Sequence, residues 1–248
     1  MDVNMIVKFF KRFTFCFILT SLALVLMQGL RISAAAGKVS YTAIPYEQNN
    51  PNASLKVLFM GDSTAFGTGA ANNRESTAGW FGQEYPGAMI QNLSENGLRL
   101  SGLVKKFNPE AKDHFNLIVM QIGANDILRF TAYRNIERDL LTLIDRAQSV
   151  ADHVVILHSG NVGTAPVFGW PLNDIYTTRS RAVRQLYIKT AKEKGVIYVD
   201  LFQERTDDLF LTDINKYYSA DRLHPSGQGY RWWYDHIRQA LNDANVAL

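Results

Sequence analysis

The sequence predicts an α/β fold, a three-layer sandwich in which helices cover both faces of a five-stranded parallel sheet. Three observations lead there. Five short apolar runs recur along the chain, at 55–60, 88–93, 115–122, 154–157 and 196–201. Most are followed by longer stretches with helical spacing, the pattern of parallel strands joined by crossover helices. The composition agrees: 248 residues, 47% hydrophobic and 20% charged, suffice for one domain with a full core and exclude a disordered, collagen-like or disulfide-framework chain.

Each element has its own signal. Leu55–Met60 (LKVLFM) reads as a buried strand ended by Gly61. Ala88–Leu93 is the second strand, and Leu98–Phe107 follows it with helical spacing. Phe115–Ile122 (FNLIVMQI) is the most apolar strand. Tyr133–Val150 sets Ile136, Leu140, Leu143, Ile144 and Ala147 on one helical face. Val154–Leu157 is the fourth strand. Residues 159–174 form a loop rich in Gly, Pro and aromatics, and Ile175–Lys194 is a helix stopped by Gly195. Val196–Leu201 is the fifth strand. Pro225 opens a last helix running to about residue 243, proline being favoured at a first helical position.

The N-terminus is different in kind. Lys8, Lys11 and Arg12 precede an apolar run from Phe13 to Met27, and small residues follow to Ala34-Ala35-Ala36. A basic start, an apolar centre and an A-x-A site are the parts of a secretory signal peptide, here residues 1–36. The alternative is an uncleaved membrane anchor, although the run is short of the ~20 residues that span a bilayer. Both place the body outside the cytoplasm, secreted or periplasmic. Residues 37–53, polar with Pro45 and Pro51, read as a tether, leaving 54–248 as the folded domain. Cys16, the only cysteine, lies inside the apolar run, so neither a disulfide nor a thiolate metal site is available. Lys8, Lys11, Arg12 and Arg31 against Asp2 account for the net charge of +3. The rest is balanced, which gives no global attraction to nucleic acid.

In an open parallel sheet, sites form beyond the carboxyl ends of the strands. Strand one ends in Gly61-Asp62-Ser63, strand two near Asn92–Gly97, strand three in Gly123-Ala124-Asn125-Asp126, and the chain after strand five reaches Asp221-Arg222-Leu223-His224. Acyl transfer needs a nucleophile, a base, a group that orients the base and donors for an oxyanion. Ser63 can be the nucleophile, His224 the base and Asp221 the orienting carboxylate. The N–H groups of Ser63 and Gly97 and the side-chain amide of Asn125 can be the donors.

These blocks resemble the SGNH hydrolases, also called the GDSL esterase/lipase family. GDS at 61–63, Gly97 within NLSENG, GAND at 123–126 and DRLH at 221–224 follow the family's order from residue 55 to about 242. The resemblance implies a flavodoxin-like three-layer sandwich, a Ser/His/Asp mechanism without metal or other cofactor, and activity on esters or thioesters. Thr64 stands where the family more often has Leu. Gly102 competes with Gly97 for the glycine block; Asn92 falls at the family's usual spacing from Gly97.

Plainer readings stand beside these. Ser63 could mark only a strand-ending turn, and Asn125-Asp126 could cap the following helix. Asp221 and His224 could ligate a metal, but no second His/Asp/Glu cluster supports that. His158, ending strand four, is a reserve base or a pocket wall. Asp200 and Asp213 are reserve orienting acids, and Asp62 is a structural acid of its turn. Phe168 and Trp170 are pocket candidates or loop packing. Of Trp232-Trp233 at least one is core, and Arg179, Arg181 and Arg184 read as a solvated helix face. The sequence thus predicts an extracytoplasmic serine esterase. Its substrate is a small-molecule, lipid or acylated-glycan ester, with membrane contact only through an uncleaved leader. A glycan acyltransferase and an inactive envelope-binding domain are the alternatives. Acyl length and oligomeric state are not fixed.

Overall fold

The computed structural model describes residues 8–17, 19–21, 23, 27, 43–110 and 114–248. In chain order the body contains β1 (Lys56–Gly61), α1 (Ser63–Phe66), α2 (Thr77–Glu84), β2 (Met89–Ser94), α3 (Leu100–Lys106), β3 (Phe115–Gln121), α4 (Ala124–Leu128) and α5 (Tyr133–Gln148). There follow β4 (Ala151–Leu157), α6 (Leu172–Lys194), β5 (Ile197–Tyr198), α7 (Leu209–Thr212), α8 (Ile214–Tyr217) and α9 (Gly227–Asp243). The five strands are parallel, in the order β2-β1-β3-β4-β5.

That order explains where the site lies. From β1 the chain crosses to β2 on one side, then returns past β1 to β3 on the other. The loops leaving β1 and β3 therefore diverge, and a crevice opens between them. β1 and β3 are central, and their runs are buried almost throughout, whereas the edge strand β2 is only partly buried. On one face α2 packs against α9, with Phe81 edge-on to both Phe59 of β1 and Tyr234 of α9. On the other α3, α5 and α6 pack together, and Ile136, Leu140, Leu143, Ile144 and Ala147 of α5 are all buried as their spacing predicts. Gly195 ends α6 in the left-handed region, φ +65°.

Several boundaries differ from the sequence reading. The fifth strand pairs only at Ile197–Tyr198: Val199 N–H still reaches Ile156 O, but Asp200 then turns outward to Arg184. Pro225 is not the first residue of α9. It precedes Ser226, whose Oγ accepts the Gly229 N–H as the N-cap. Helix α2, capped by Ser76 through the Gly79 N–H, stands where the sequence reading places no element. The segment 37–53 is not wholly a tether. Gln48 bridges Ile90 through both backbone groups, and its side-chain amide donates to Tyr85, Pro86 and Ala88 carbonyls. Body packing thus begins near Tyr46, before residue 54. In the segment read as a leader, residues 8–17 are helical, while the expected cleavage site at Ala34–Ala36 and residues 37–42 lie outside the described residues. Among the described residues no helix is long and apolar enough to cross a membrane.

Candidate active site

The site starts from a close approach of two strand ends. At Gly61 φ is +152°, and a Cβ would sit 1.8 Å from Gln121 O of β3. Only glycine lets β1 end there. Asp62 then ties the β1 and β3 loops together. Its Oδ1 accepts the Thr64 N–H (2.9 Å) and Oγ1–H (2.7 Å), and its Oδ2 accepts the Gly123 N–H (3.2 Å). Burial pushes the Asp62 carboxyl above the usual carboxylate range, against those hydrogen bonds and the charge of His224. The structural role read for Asp62 holds, and Thr64, in place of the commoner Leu, supplies two of its bonds. Ser63 is thereby fixed as the first residue of α1, with its hydroxyl facing the crevice.

The partner of Ser63 comes from a turn at 218–225. Ser219 N–H donates to His224 O, and Arg222 takes a left-handed φ of +60° at the bend. The turn folds around Asp221. Its Oδ1 accepts from Ser219 Oγ (2.6 Å), Leu223 N (2.9 Å) and His224 N (2.9 Å), and its Oδ2 pairs with His224 Nδ1 (2.6 Å). Burial alone would raise this carboxyl. The His224 hydrogen bond and charge, with Ser219 and the backbone, overcome that and hold it well below the usual range. An ionised Asp221 takes Nδ1–H, so Nε2 presents its lone pair to Ser63 Oγ at 2.9 Å. The arrangement can remove the Ser63 proton and return it to a leaving group.

Two more loops bring Gly97 and Asn125, the candidate oxyanion donors, to the cavity that Ser63 lines. Gly123, φ +125°, occupies the N-cap of α4 without a side-chain bond, so Asn125 caps nothing. Asp126 does cap, but on a different helix: its Oδ2 accepts the Leu100 N–H that opens α3. Gly97, φ +76°, lines the same cavity as Ser63, Asn125 and His224, whereas Gly102 lies within α3 and does not. Neither the Ser63 nor the Gly97 N–H donates to any described residue.

The cavity has a volume of about 490 Å³, within the usual range for a small-molecule site. Val162, Ala165, Leu201, Phe210, Trp232 and Trp233 form its apolar side. None of the three pocket candidates lies there. His158 is sealed behind the loops, edge-on to Tyr187 at 5.3 Å, and neither ring nitrogen completes a hydrogen bond, although the Gly160 backbone comes close. Burial lowers its pKa to about 4; Asp200 opposes this and Arg184 adds to it. Phe168 is core, its ring tilted against Tyr176 with centroids 4.8 Å apart. Trp170 is exposed on the surface. The reserve acids are also engaged elsewhere, Asp200 with Arg184 and Asp213 as the cap of α8. Nor is the arginine face merely solvated. Arg181 pairs with Glu204, Arg184 with Asp200, and Arg179 donates to the carbonyls of Ile127, Asp126 and Thr131. Among the described residues no group of three His, Cys, Asp or Glu could hold a metal.

The walls that sequence reasoning missed, Trp232 and Phe210, had a usable signal. Adjacent helical residues point about 100° apart, so Trp232 and Trp233 span a wide face of α9, and both reach the cavity from it, Trp233 while remaining nearly buried.

The model of the GDSL-like lipase/acylhydrolase family matches residues 59–232, and so spans β1 to α9. The chain belongs to that family. Its members hydrolyse ester bonds, and that coarse assignment follows. No curated protein matches the sequence. Solved structures that share the fold include TesA, at 17% identity over 76% of this chain and 98% of that one, TM-score 0.57. A G-D-S-L family lipolytic protein from Veillonella parvula gives 18%, 76%, 99% and 0.58. Axe2, an acetylxylan esterase from Geobacillus stearothermophilus, gives 19%, 76%, 94% and 0.54.

Proposed function

We propose that this ester hydrolase works by a serine mechanism on carboxylic esters, with Ser63 as nucleophile, His224 as base and Asp221 as the orienting carboxylate. The observation that carries the reading is the unbroken chain Asp221 Oδ2–His224 Nδ1 (2.6 Å), His224 Nε2–Ser63 Oγ (2.9 Å), opening into the cavity beside Asn125. Ser63 Oγ attacks the ester carbonyl carbon as His224 Nε2 takes its proton. The tetrahedral oxyanion is met by the Ser63 and Gly97 N–H groups and the Asn125 amide. The imidazolium, steadied by Asp221, gives its proton to the departing alcohol and leaves acyl-Ser63. Water, deprotonated by His224, then releases the acid. Asp221 stays ionised throughout the range in which an imidazole titrates. The apolar cavity wall supports an acyl group longer than acetyl.

Ser63→Ala should abolish nitrophenyl ester turnover while melting close to wild type, and a fluorophosphonate should label the native protein at Ser63 alone. An alanine variant that still turns over esters sinks the assignment. Export through the basic and apolar leader belongs to the same proposal. The mass of the mature N-terminus tests it, an intact leader on a cytoplasmic protein being the contrary result.

A further inference from the structure

From Tyr46 onward the described chain exposes four large apolar side chains: Phe130 (54%), Tyr133 (43%), Trp170 (63%) and Ile175 (41%). Phe130 and Tyr133 gather around Arg179, and Phe130 around Tyr176, beside the cavity. Leu128 and Arg129 line the cavity, and Phe130 is the next residue. The Arg179 guanidinium lies over both the Phe130 ring (5.2 Å) and the Tyr133 ring (4.8 Å). Ile175 sits one helical turn before Arg179 on α6, and Phe130 also meets Tyr176 at 5.8 Å. Trp170 leads into α6 two residues after Phe168, which packs on the same Tyr176.

This exposure is held in place. Phe130 has φ +52°, a left-handed conformation that a bulky side chain adopts only when its surroundings enforce it. Arg179 enforces it from below through carbonyls of Ile127, Asp126 and Thr131. A loop selected only for folding would carry glycine or asparagine here.

The charge around the patch is one-sided. Arg99 opens α3 against Asp126, Arg129 lies beside Gly97, Arg134 follows Tyr133, and the Arg222 carbonyl accepts the Val167 N–H of the 159–171 loop. None of these four makes an ion pair among the described residues; the acids near them are Asp126, buried behind Arg99, Asp174 in the first turn of α6, and Glu137 of α5, which pairs with Lys189. Exposed aromatic and branched side chains ringed by arginines match the interface of an anionic bilayer, where the rings sit at headgroup depth and the guanidinium groups meet phosphates.

We propose that this rim docks the enzyme on an anionic lipid surface with the cavity mouth facing the interface. The inference goes beyond the esterase reading and places membrane contact on the body as well as the leader. Self-association through the patch is disfavoured, because a two-fold interface would set the arginines of both copies against one another. Ile175 and Phe130 likewise offer no hydrogen bond to a polysaccharide.

Among the described residues every core residue lies at or beyond Tyr46, so the chain from 37 to 248 is tested beside the full chain. Carrying Ser63→Ala, it reports binding alone, whatever becomes of the esterase reading. It should co-sediment with phosphatidylglycerol vesicles and only weakly with phosphatidylcholine. Binding should fall about tenfold or more in Phe130→Ser/Tyr133→Ser/Ile175→Ser, in Arg134→Glu/Arg222→Glu, and in high salt. If the triple variant fails to melt cooperatively, Ile175→Ser and the arginine pair carry the test. Equal vesicle binding by wild type and these variants overturns the proposal, as does no binding to phosphatidylglycerol. Patch-dependent retention on an acidic polysaccharide, or a patch-dependent dimer, in a protein that ignores vesicles overturns it in favour of those partners.

Discussion

Two histidines lie at the carboxyl-terminal side of the sheet, both almost sealed from solvent, and their surroundings are opposite. His224 sits in a turn built around it: Nδ1 meets Asp221, Nε2 meets Ser63, and its own N–H is held by the same carboxylate. His158 sits among Tyr187, Tyr198 and the β3–β4 ends with both ring nitrogens unpartnered. Burial is common to both, so burial does not mark a functional histidine. What separates them is a partner on each nitrogen, one of them an ionised acid and the other opening on a cavity. The 218–225 turn spends its hydrogen bonds on orienting one ring; the region behind β4 leaves its ring neutral and mute.

The largest effect should come from breaking that orientation. Asp221→Asn keeps the shape but favours the wrong tautomer, and should lower kcat by about 10⁴. His224→Ala should be at least as severe. His158→Leu should leave kcat/KM within a few-fold of wild type. A His158 variant as inactive as the His224 variant would erase the contrast and make His158 part of the machinery.

Asn125 sharpens the picture on the acceptor side. It lines the cavity with Ser63 and His224, and the N-cap of its helix is Gly123, which has no side-chain bond. Losing one oxyanion donor costs about 10²–10³ in kcat. Asn125→Ala should show that loss with little change in KM or melting temperature, and Asn125→Asp should be as damaging because its charge repels the oxyanion. Wild-type turnover with an earlier melt would show a structural role instead.

The next effect is on stability. His158 has a folded pKa near 4 against about 6.5 when unfolded. Between those values the unfolded chain binds the extra proton, so stability falls as pH drops through the window, by about 1.4 kcal/mol per unit at most. Asp221 is also depressed but from the opposite cause: burial raises it and its bonds to His224 and Ser219 overcome that, so its contribution is stabilising and is lost only as pH falls below the ordinary carboxylate range. Denaturant melts from pH 7 to 4 should slope in the wild type and flatten in His158→Leu. Parallel slopes would mean another group carries the protonation.

These contrasts also mark what the sequence made legible. Gly61, Ser63 and Asn125 stand at or just past the ends of β1 and β3, where the sequence reading puts them, and Asp221 and His224 meet Ser63 from the turn that the DRLH block marks. Residues 56–61 and 115–121 were readable because a central parallel strand is apolar throughout. His158 was misplaced because one strand register decides whether a residue faces the crevice or the layer behind it. Phe168 and Trp170 were misplaced because a sixteen-residue loop has no periodicity from which to read facing. Gln48 was missed because a single bridge to an edge strand leaves no pattern in composition.

Trp232 supplies the smallest and most local test. It and Phe210 stand edge to face at 5.5 Å on the apolar side of the cavity, contributed by α9 and α7. Removing the indole opens space without touching Ser63, His224 or the oxyanion donors. A lost apolar contact in a pocket changes discrimination by about 1–3 kcal/mol. If the acyl chain lies along this wall, Trp232→Ala should lower kcat/KM for butyrate and hexanoate nitrophenyl esters several-fold to about a hundredfold, and leave the acetate ester nearly unchanged. Acetate barely reaches the wall, so the ratio of the two isolates acyl contact from general damage. An equal loss on all chain lengths would place the acyl group elsewhere and leave this wall to the alcohol.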